Sequence, residues 1–145
     1  MSKFVATLLV VLVSLDAATV FAYPPLFRRF NIELKNGLQS NKAMKVHCRA
    51  KGEDFPYHII DIGGIYQLKF TVYVNTLYWC NIWQGPNYQH HAKFNAFIAV
   101  DEFINDTCGG RKPNVCRFEA REDGVYARNN AKGESEYKFL YKWDS

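Results

Sequence analysis

The stretch Tyr66 to Trp83, YQLKFTVYVNTLYWCNIW, decides the fold class. Its first half puts Tyr66, Leu68, Phe70, Val72 and Val74 on one face and Gln67, Lys69 and Thr71 on the other. Successive strand side chains point to opposite faces, so this period of two predicts a long strand with one buried face. The second half, Thr76 to Trp83, is apolar on both faces, as a central strand would be. The alternation recurs outward on both sides. Phe30, Ile32 and Leu34 alternate with polar residues, and Met44 to Arg49 does the same with Cys48 inward. Asn36-Gly37 between them is a turn signal. Phe94, Ala96, Ile98 and Val100 are expected on one face, with Lys93, Asn95, Phe97 and Ala99 opposite. Cys116, Phe118 and Ala120 alternate with Arg117, Glu119 and Arg121, and Asp123-Gly124 reads as a hairpin turn into Val125 to Arg128. In the last segment Tyr137, Phe139, Tyr141 and Trp143 are expected inward, with Lys138 and Lys142 outward.

These segments make about eight short strands and no convincing helix. Gln39 to Ala43 is polar enough for a loop or a helical turn. Each sheet would have one apolar face to hide, and two sheets packed face to face hide both. The predicted fold is all-β, an antiparallel β-sandwich of about eight strands, with a closed barrel as the alternative. A chain of 145 residues without internal repeat or low-complexity stretch makes one domain.

Composition excludes several classes. Hydrophobic content of 48% with 22% charged residues excludes a disordered chain or a coiled coil. The amino terminus has Lys3, then a nearly unbroken apolar run from Phe4 to Leu15, then Val20-Phe21-Ala22. This pattern predicts a secretory signal peptide over residues 1–22, cut between Ala22 and Tyr23. The apolar run is too short for a bilayer span, and Asp16 interrupts its end, so no stable membrane insertion is expected. The predicted mature protein is residues 23–145, a single domain in an extracellular setting. Its four cysteines, Cys48, Cys80, Cys108 and Cys116, are an even set, so two disulfides are expected, in one of three pairings. No close C-x-x-C pair is present, which argues against zinc.

The sequence carries few residue patterns that do chemistry. An acid–base pair of ribonuclease type would draw on His47, His58, His90 or His91. His47, between Lys45 and Arg49, is expected on an outward face, within a basic patch. His90 and His91 are adjacent, so on a strand they would diverge and chelate a metal poorly. No serine sits in G-x-S-x-G, and no glycine-rich loop forms a phosphate cradle. Glu53-Asp54, Asp101-Glu102 and Glu122-Asp123 are neighbours in predicted turns, where they solvate the chain rather than face each other across a substrate. No catalytic residue, metal or cofactor is expected. A net charge of +4 favours an acidic partner surface. Basic runs never exceed two residues, Arg28-Arg29 and Arg111-Lys112, so no nucleic-acid groove is expected. Trp83 precedes the loop Gln84 to His91, where it and Tyr88 could stack against a carbohydrate or peptide. Asn105-Asp106-Thr107 is an N-glycosylation sequon at Asn105, in a predicted loop.

Several motifs, in order, carry a family resemblance. They are Val46-His47-Cys48, His58 followed by Gly63-Gly64-Ile65-Tyr66, Thr76-Leu77-Tyr78-Trp79-Cys80 with Trp83, Cys108, Cys116, and Glu122-Asp123-Gly124-Val125-Tyr126. Over roughly Phe30 to Trp143 the chain resembles the plant self-incompatibility protein S1 family, the S-protein homologues. The resemblance implies a small secreted β-sandwich with two disulfides, Cys48 with Cys116 and Cys80 with Cys108. Its best-known members are stigma-secreted ligands that act on a pollen membrane protein. Lys51 to Tyr57 departs from the family's usual acidic run, and Phe118 stands where the family usually has Trp.

The expected function is therefore non-enzymatic: a secreted recognition ligand, a monomer, acting through loops on a cell-surface or membrane receptor protein. The alternatives are a defence protein that binds wall glycan or membrane, and a secreted ribonuclease-like hydrolase. Binding residues concentrate on loops held by a rigid scaffold. The candidate segments are Lys51 to Tyr57, with Lys51, Glu53, Asp54 and Tyr57; Gln84 to His91, with Tyr88 and His90; and Asp101 to Asn114, with Arg111 and Lys112.

Overall fold

The computed structural model describes residues 25–132 and 136–144. The predicted signal peptide and its cleavage site lie outside the described residues. Among the described residues ten strands form two stacked sheets. They are β1 (Arg29–Asn36), β2 (Met44–Ala50), β3 (Glu53–Asp54), β4 (His58–Ile60), β5 (Ile65–Thr71), β6 (Leu77–Gln84), β7 (His91–Ile98), β8 (Val115–Arg121), β9 (Gly124–Arg128) and β10 (Tyr137–Lys142). The first sheet runs β10-β9-β8-β1-β5, and the second runs β3-β2-β6-β7, with β4 also paired to β2. The eight expected strands are all present, and β6 is central in its sheet as its two-sided apolarity requires. The ladders are antiparallel except one: β1 and β8 pair in parallel, Glu33 opposite Arg117. Parallel neighbours need a long connection, and most of the chain lies between these two.

The alternating residues meet between the sheets. Phe30, Ile32 and Leu34 of β1 and Phe118 of β8 face Val46 of β2, Ile82 of β6 and Phe94 of β7, all buried. Phe97 joins the halves, its ring 4.9 Å from both Phe30 and Phe70. Fully burying a side chain of this size contributes about 2 kcal/mol, so the interface between sheets is the main cohesive term.

The structure corrects several expectations. The bridges are Cys48–Cys80 and Cys108–Cys116, not the pairing the resemblance implied. Cys48 and Cys80 sit opposite each other in the β2–β6 ladder, so each is the other's nearest thiol. Cys116 belongs to the other sheet. The segment Asp101 to Cys108 is helical, not an open loop. A short turn α1 (Asp101–Phe103) runs into a π-helical turn (Ile104–Cys108). Gly109, at φ 77°, ends it and returns its N–H to the Ile104 carbonyl.

At the end of β7 Phe97 is buried, and just beyond the strand Ala99 is buried while Val100 is exposed, the reverse of the expected faces. A register shift against Tyr78 and Trp79 inserts one residue, and every residue beyond it changes face. In β10 a similar shift lies between Phe139 and Tyr141, and both are exposed on this edge strand. Trp143 alone is fully inward there, its indole N–H donating to the Arg121 carbonyl at 2.7 Å.

Candidate functional site

Antiparallel strands return the chain alternately to the two ends of the sandwich, and at one end the turns expose a group of apolar side chains. The turn from β5 to β6 projects there. It is held by the Tyr73 N–H donating to Thr76 Oγ1 at 2.8 Å, with Asn75 in the left-handed region at φ 67°. The Phe27 N–H donates to the Val72 carbonyl at 2.7 Å and sets its ring edge-on against Tyr73. The Ala99 N–H donates to the Thr76 carbonyl, which brings the end of β7 alongside. These tips expose Phe27 (73%), Tyr73 (56%), Val74 (69%) and Val100 (46%) to solvent.

Beside this cluster a groove of about 440 Å³ opens between the sheet ends. Its walls include Lys51, Glu53, Lys69, Tyr73, Leu77 and Tyr78. Gly52, at φ 78°, makes the tight β2–β3 turn that carries Lys51 to the rim. Burial pushes the Tyr78 phenol above its ordinary value of 10, the Glu53 carboxylate adds to this, and Arg29 opposes it. Tyr78 is therefore a hydroxyl at physiological pH, and the groove's charge comes from two lysines against one carboxylate.

The expected site residues are dispersed. Lys51 and Glu53 line the groove. The Asp101 to Asn114 segment leaves from the same end, where Arg111 ion-pairs with Asp101 and Lys112 is exposed. Tyr88 and His90 are at the opposite end, beyond the β6–β7 hairpin, where Tyr88 is half-buried and His90 exposed. Asp54 and Tyr57 turn onto the outer face of the second sheet. Asn105 is exposed within the π-helical turn, not in a loop. His47 is outward but not in an open patch. It is 8% exposed, hydrogen-bonded to Asp54 at 2.6 Å and covered by the Tyr57 ring at 4.1 Å. His91 shares that outer face, its Nε2 against Asn81 Oδ1 at 2.7 Å.

The carboxylates are bound more specifically than turn solvation predicts. Glu122 accepts from the Gln39 N–H and from Lys42, at 2.7 and 2.8 Å. Among the described residues no three His, Cys, Asp or Glu side chains gather as a metal site. No described helix is long and apolar enough to cross a membrane.

Sequence reasoning missed Phe27, Lys69, Tyr73 and Val74. Alternation put Val74 inside, because a period of two gives the face of a residue but not where the strand ends. β5 stops at Thr71, and the turn carries Val74 into solvent.

Fold and surface thus define a disulfide-stapled β-sandwich with a group of exposed apolar side chains on the turns at one end. The chain belongs to the plant self-incompatibility protein S1 family, whose model matches residues 31–143. S-protein homolog 11 of Arabidopsis thaliana is 35% identical over 122 residues, covering 81% of this chain and 79% of that protein. S-protein homolog 9 of the same plant is 32% identical over 110 residues, covering 75% of each. A solved structure of SPH (self-incompatibility protein homologue) proteins, described as small, highly stable and secreted from plants, superposes with a TM-score of 0.60. It covers 81% of this chain and 96% of that one at 22% identity, which shows the fold.

Proposed function

We propose that this protein is a secreted, non-enzymatic recognition ligand that docks a cell-surface protein onto the groove end. The observation that carries the reading is the exposed cluster of Phe27, Tyr73, Val74 and Val100 beside the Lys51–Lys69 groove. Contiguous exposed apolar surface rimmed by charge marks protein interaction sites. The turns that present it are fixed by backbone hydrogen bonds, so binding loses little conformational entropy. Family membership, the leader-like residues 1–22 and the two disulfides support an extracellular setting. The partner is a receptor protein with an acidic, partly apolar surface, and the ligand acts as a monomer.

The test is binding of fluorescently labelled mature protein to intact plant cells, with unlabelled protein as competitor. Saturable binding abolished by surface proteolysis supports the reading. Non-saturable or absent binding overturns it.

A further inference from the structure

The outer face of the second sheet is built unlike an ordinary solvated strand face. β3 and β4 are one edge strand interrupted at Phe55 to Tyr57: Asp54 opposes Arg49, and His58 opposes Val46. Three residues there face two on β2, and Pro56 has no N–H to give the ladder. The bulge swings Tyr57 over the sheet onto His47. A continuous strip of rings results. Tyr57 lies 4.1 Å from His47 and 6.0 Å from Trp83, and Trp83 lies 5.1 Å from His91. Lys45 Nζ sits 4.7 Å from the Tyr57 centroid and 5.4 Å from that of Trp83.

The charges on this face are Lys45, Arg49 and Lys93, against Asp54 and Asp144. Both carboxylates are engaged: Asp54 by His47 and Arg49, and Asp144 by His91. Among the described residues neither Lys45 nor Lys93 has a carboxylate within ion-pair distance. By register Lys45 opposes Trp83 on β6, and Lys93 opposes Asn81 two residues away. Strand spacing and rise place the two lysines roughly 12 Å apart across the face. Two cations so far apart do not converge on one phosphate-sized ion, but they do match charges repeated along a chain.

We propose that this face is a binding site for an acidic polysaccharide, a polymer of uronate sugars. The pyranose C–H faces would stack on the Tyr57 and Trp83 rings, and the uronate carboxylates would pair with Lys45 and Lys93. Asn81, between the strip and Lys93, offers an amide to sugar hydroxyls. The face is separate from the groove end. Lys45 stands five residues along β2 from Ala50, roughly 16 Å at strand rise. The two sites can therefore fail independently.

The experiment is titration of the full mature protein with a galacturonate oligomer, followed by calorimetry. The parallel titrants are its fully methyl-esterified form, which keeps the rings and loses the charge, and polyuridylate, which keeps charge without pyranose rings. The expected result is binding of the acid oligomer, at least about tenfold weaker for the ester and for polyuridylate. Lys45→Gln and Lys93→Gln, changes outside the buried core at a half-buried and an exposed position, each weaken it several-fold, as does Trp83→Ala. Val74→Glu at the groove end leaves it unchanged. No binding, equal binding of the ester or of polyuridylate, or indifference to both lysine variants overturns the proposal. Saturable binding to cells with no oligomer binding would leave the groove reading standing and remove this one.

Discussion

Cys48 and Cys80 face each other across β2 and β6 at matched positions of one antiparallel ladder, so their bridge stays within a single sheet. Cys108–Cys116 ties the helical turn after β7 to β8 of the other sheet. Among the described residues no disulfide crosses from one sheet to the other. The sandwich is closed by packing, with Phe30, Phe70 and Phe97 in ring contact across it, while one bridge ties the two inner strands of the second sheet and the other ties the helical turn to β8. The turn that exposes Tyr73 and Val74 feeds directly into β6, which the Cys48–Cys80 bridge ties to β2.

The two bridges should differ in worth. Loop-closure entropy gives about 3.7 kcal/mol for the sequence separation of 32 and about 2.5 kcal/mol for the separation of 8. Replacing Cys48 and Cys80 with alanine should lower the denaturation midpoint more than replacing Cys108 and Cys116. Equal losses in guanidinium melts would mean that the bridges act through strain or packing. Peptide mapping of the intact protein should yield the two pairs as described.

Asn36 is a buried polar hub. It is wholly inaccessible, and its amide donates to the Lys42 and Ile60 carbonyls at 2.9 Å while its Oδ1 accepts from the Leu38 N–H. These bonds join the end of β1 to the segments on either side of β2. Asn36→Ala strands buried backbone groups and should cost about 3 kcal/mol in denaturant unfolding. A loss under about 1 kcal/mol would show that water replaces the amide.

Glu122 should shape the acid limb of stability. The Lys42 hydrogen bond first, and the Gln39 N–H second, hold its carboxyl below the ordinary 4.5. A lowered folded value gives stability that is present above 4.5 and lost as pH falls through the folded value. Glu122→Gln should therefore be less stable than wild type near neutrality, by well under 1 kcal/mol for so exposed a pair. The two melting temperatures should converge below pH 4.5, and a gap that persists there would contradict the assignment.

Gly124 opens β9 against β10, where any Cβ would meet the Tyr141 carbonyl oxygen. Gly124→Ala should push β10 off the sheet edge at about 1–3 kcal/mol. Amide exchange would show it first at Tyr137 to Lys142, with β1 and β8 protected as before.

The strands were legible because Ile32, Val46, Phe70 and Phe118 each sit in a run whose alternation has one physical cause, a single buried face. What stayed hidden lacks a local signal. Phe97 and Leu140 lie at register shifts, and one inserted residue reverses faces without altering composition. β3 and β4 are too short to show a period. The parallel pairing of β1 with β8 and the choice of Cys80 for Cys48 are decided by topology, which one sequence does not display. Of the candidate residues, Lys51 and Glu53 were found because the turn they flank is polar. Val74 was missed because nothing in its neighbours says that the strand ends at Thr71. Asp101-Glu102 before Gly109-Gly110 carried a readable helix start and stop, obscured by the helix being only two turns long.

The most direct measurement is competition at intact plant cells between labelled wild type and unlabelled Val74→Glu, with Tyr73→Ser alongside. Both positions are exposed, so fold and disulfides should be unchanged by circular dichroism and peptide mapping. Each variant should compete at least about tenfold less well than wild type, as loss of a central contact requires. Full competition by both variants would contradict the claim that this end of the sandwich is where the partner docks.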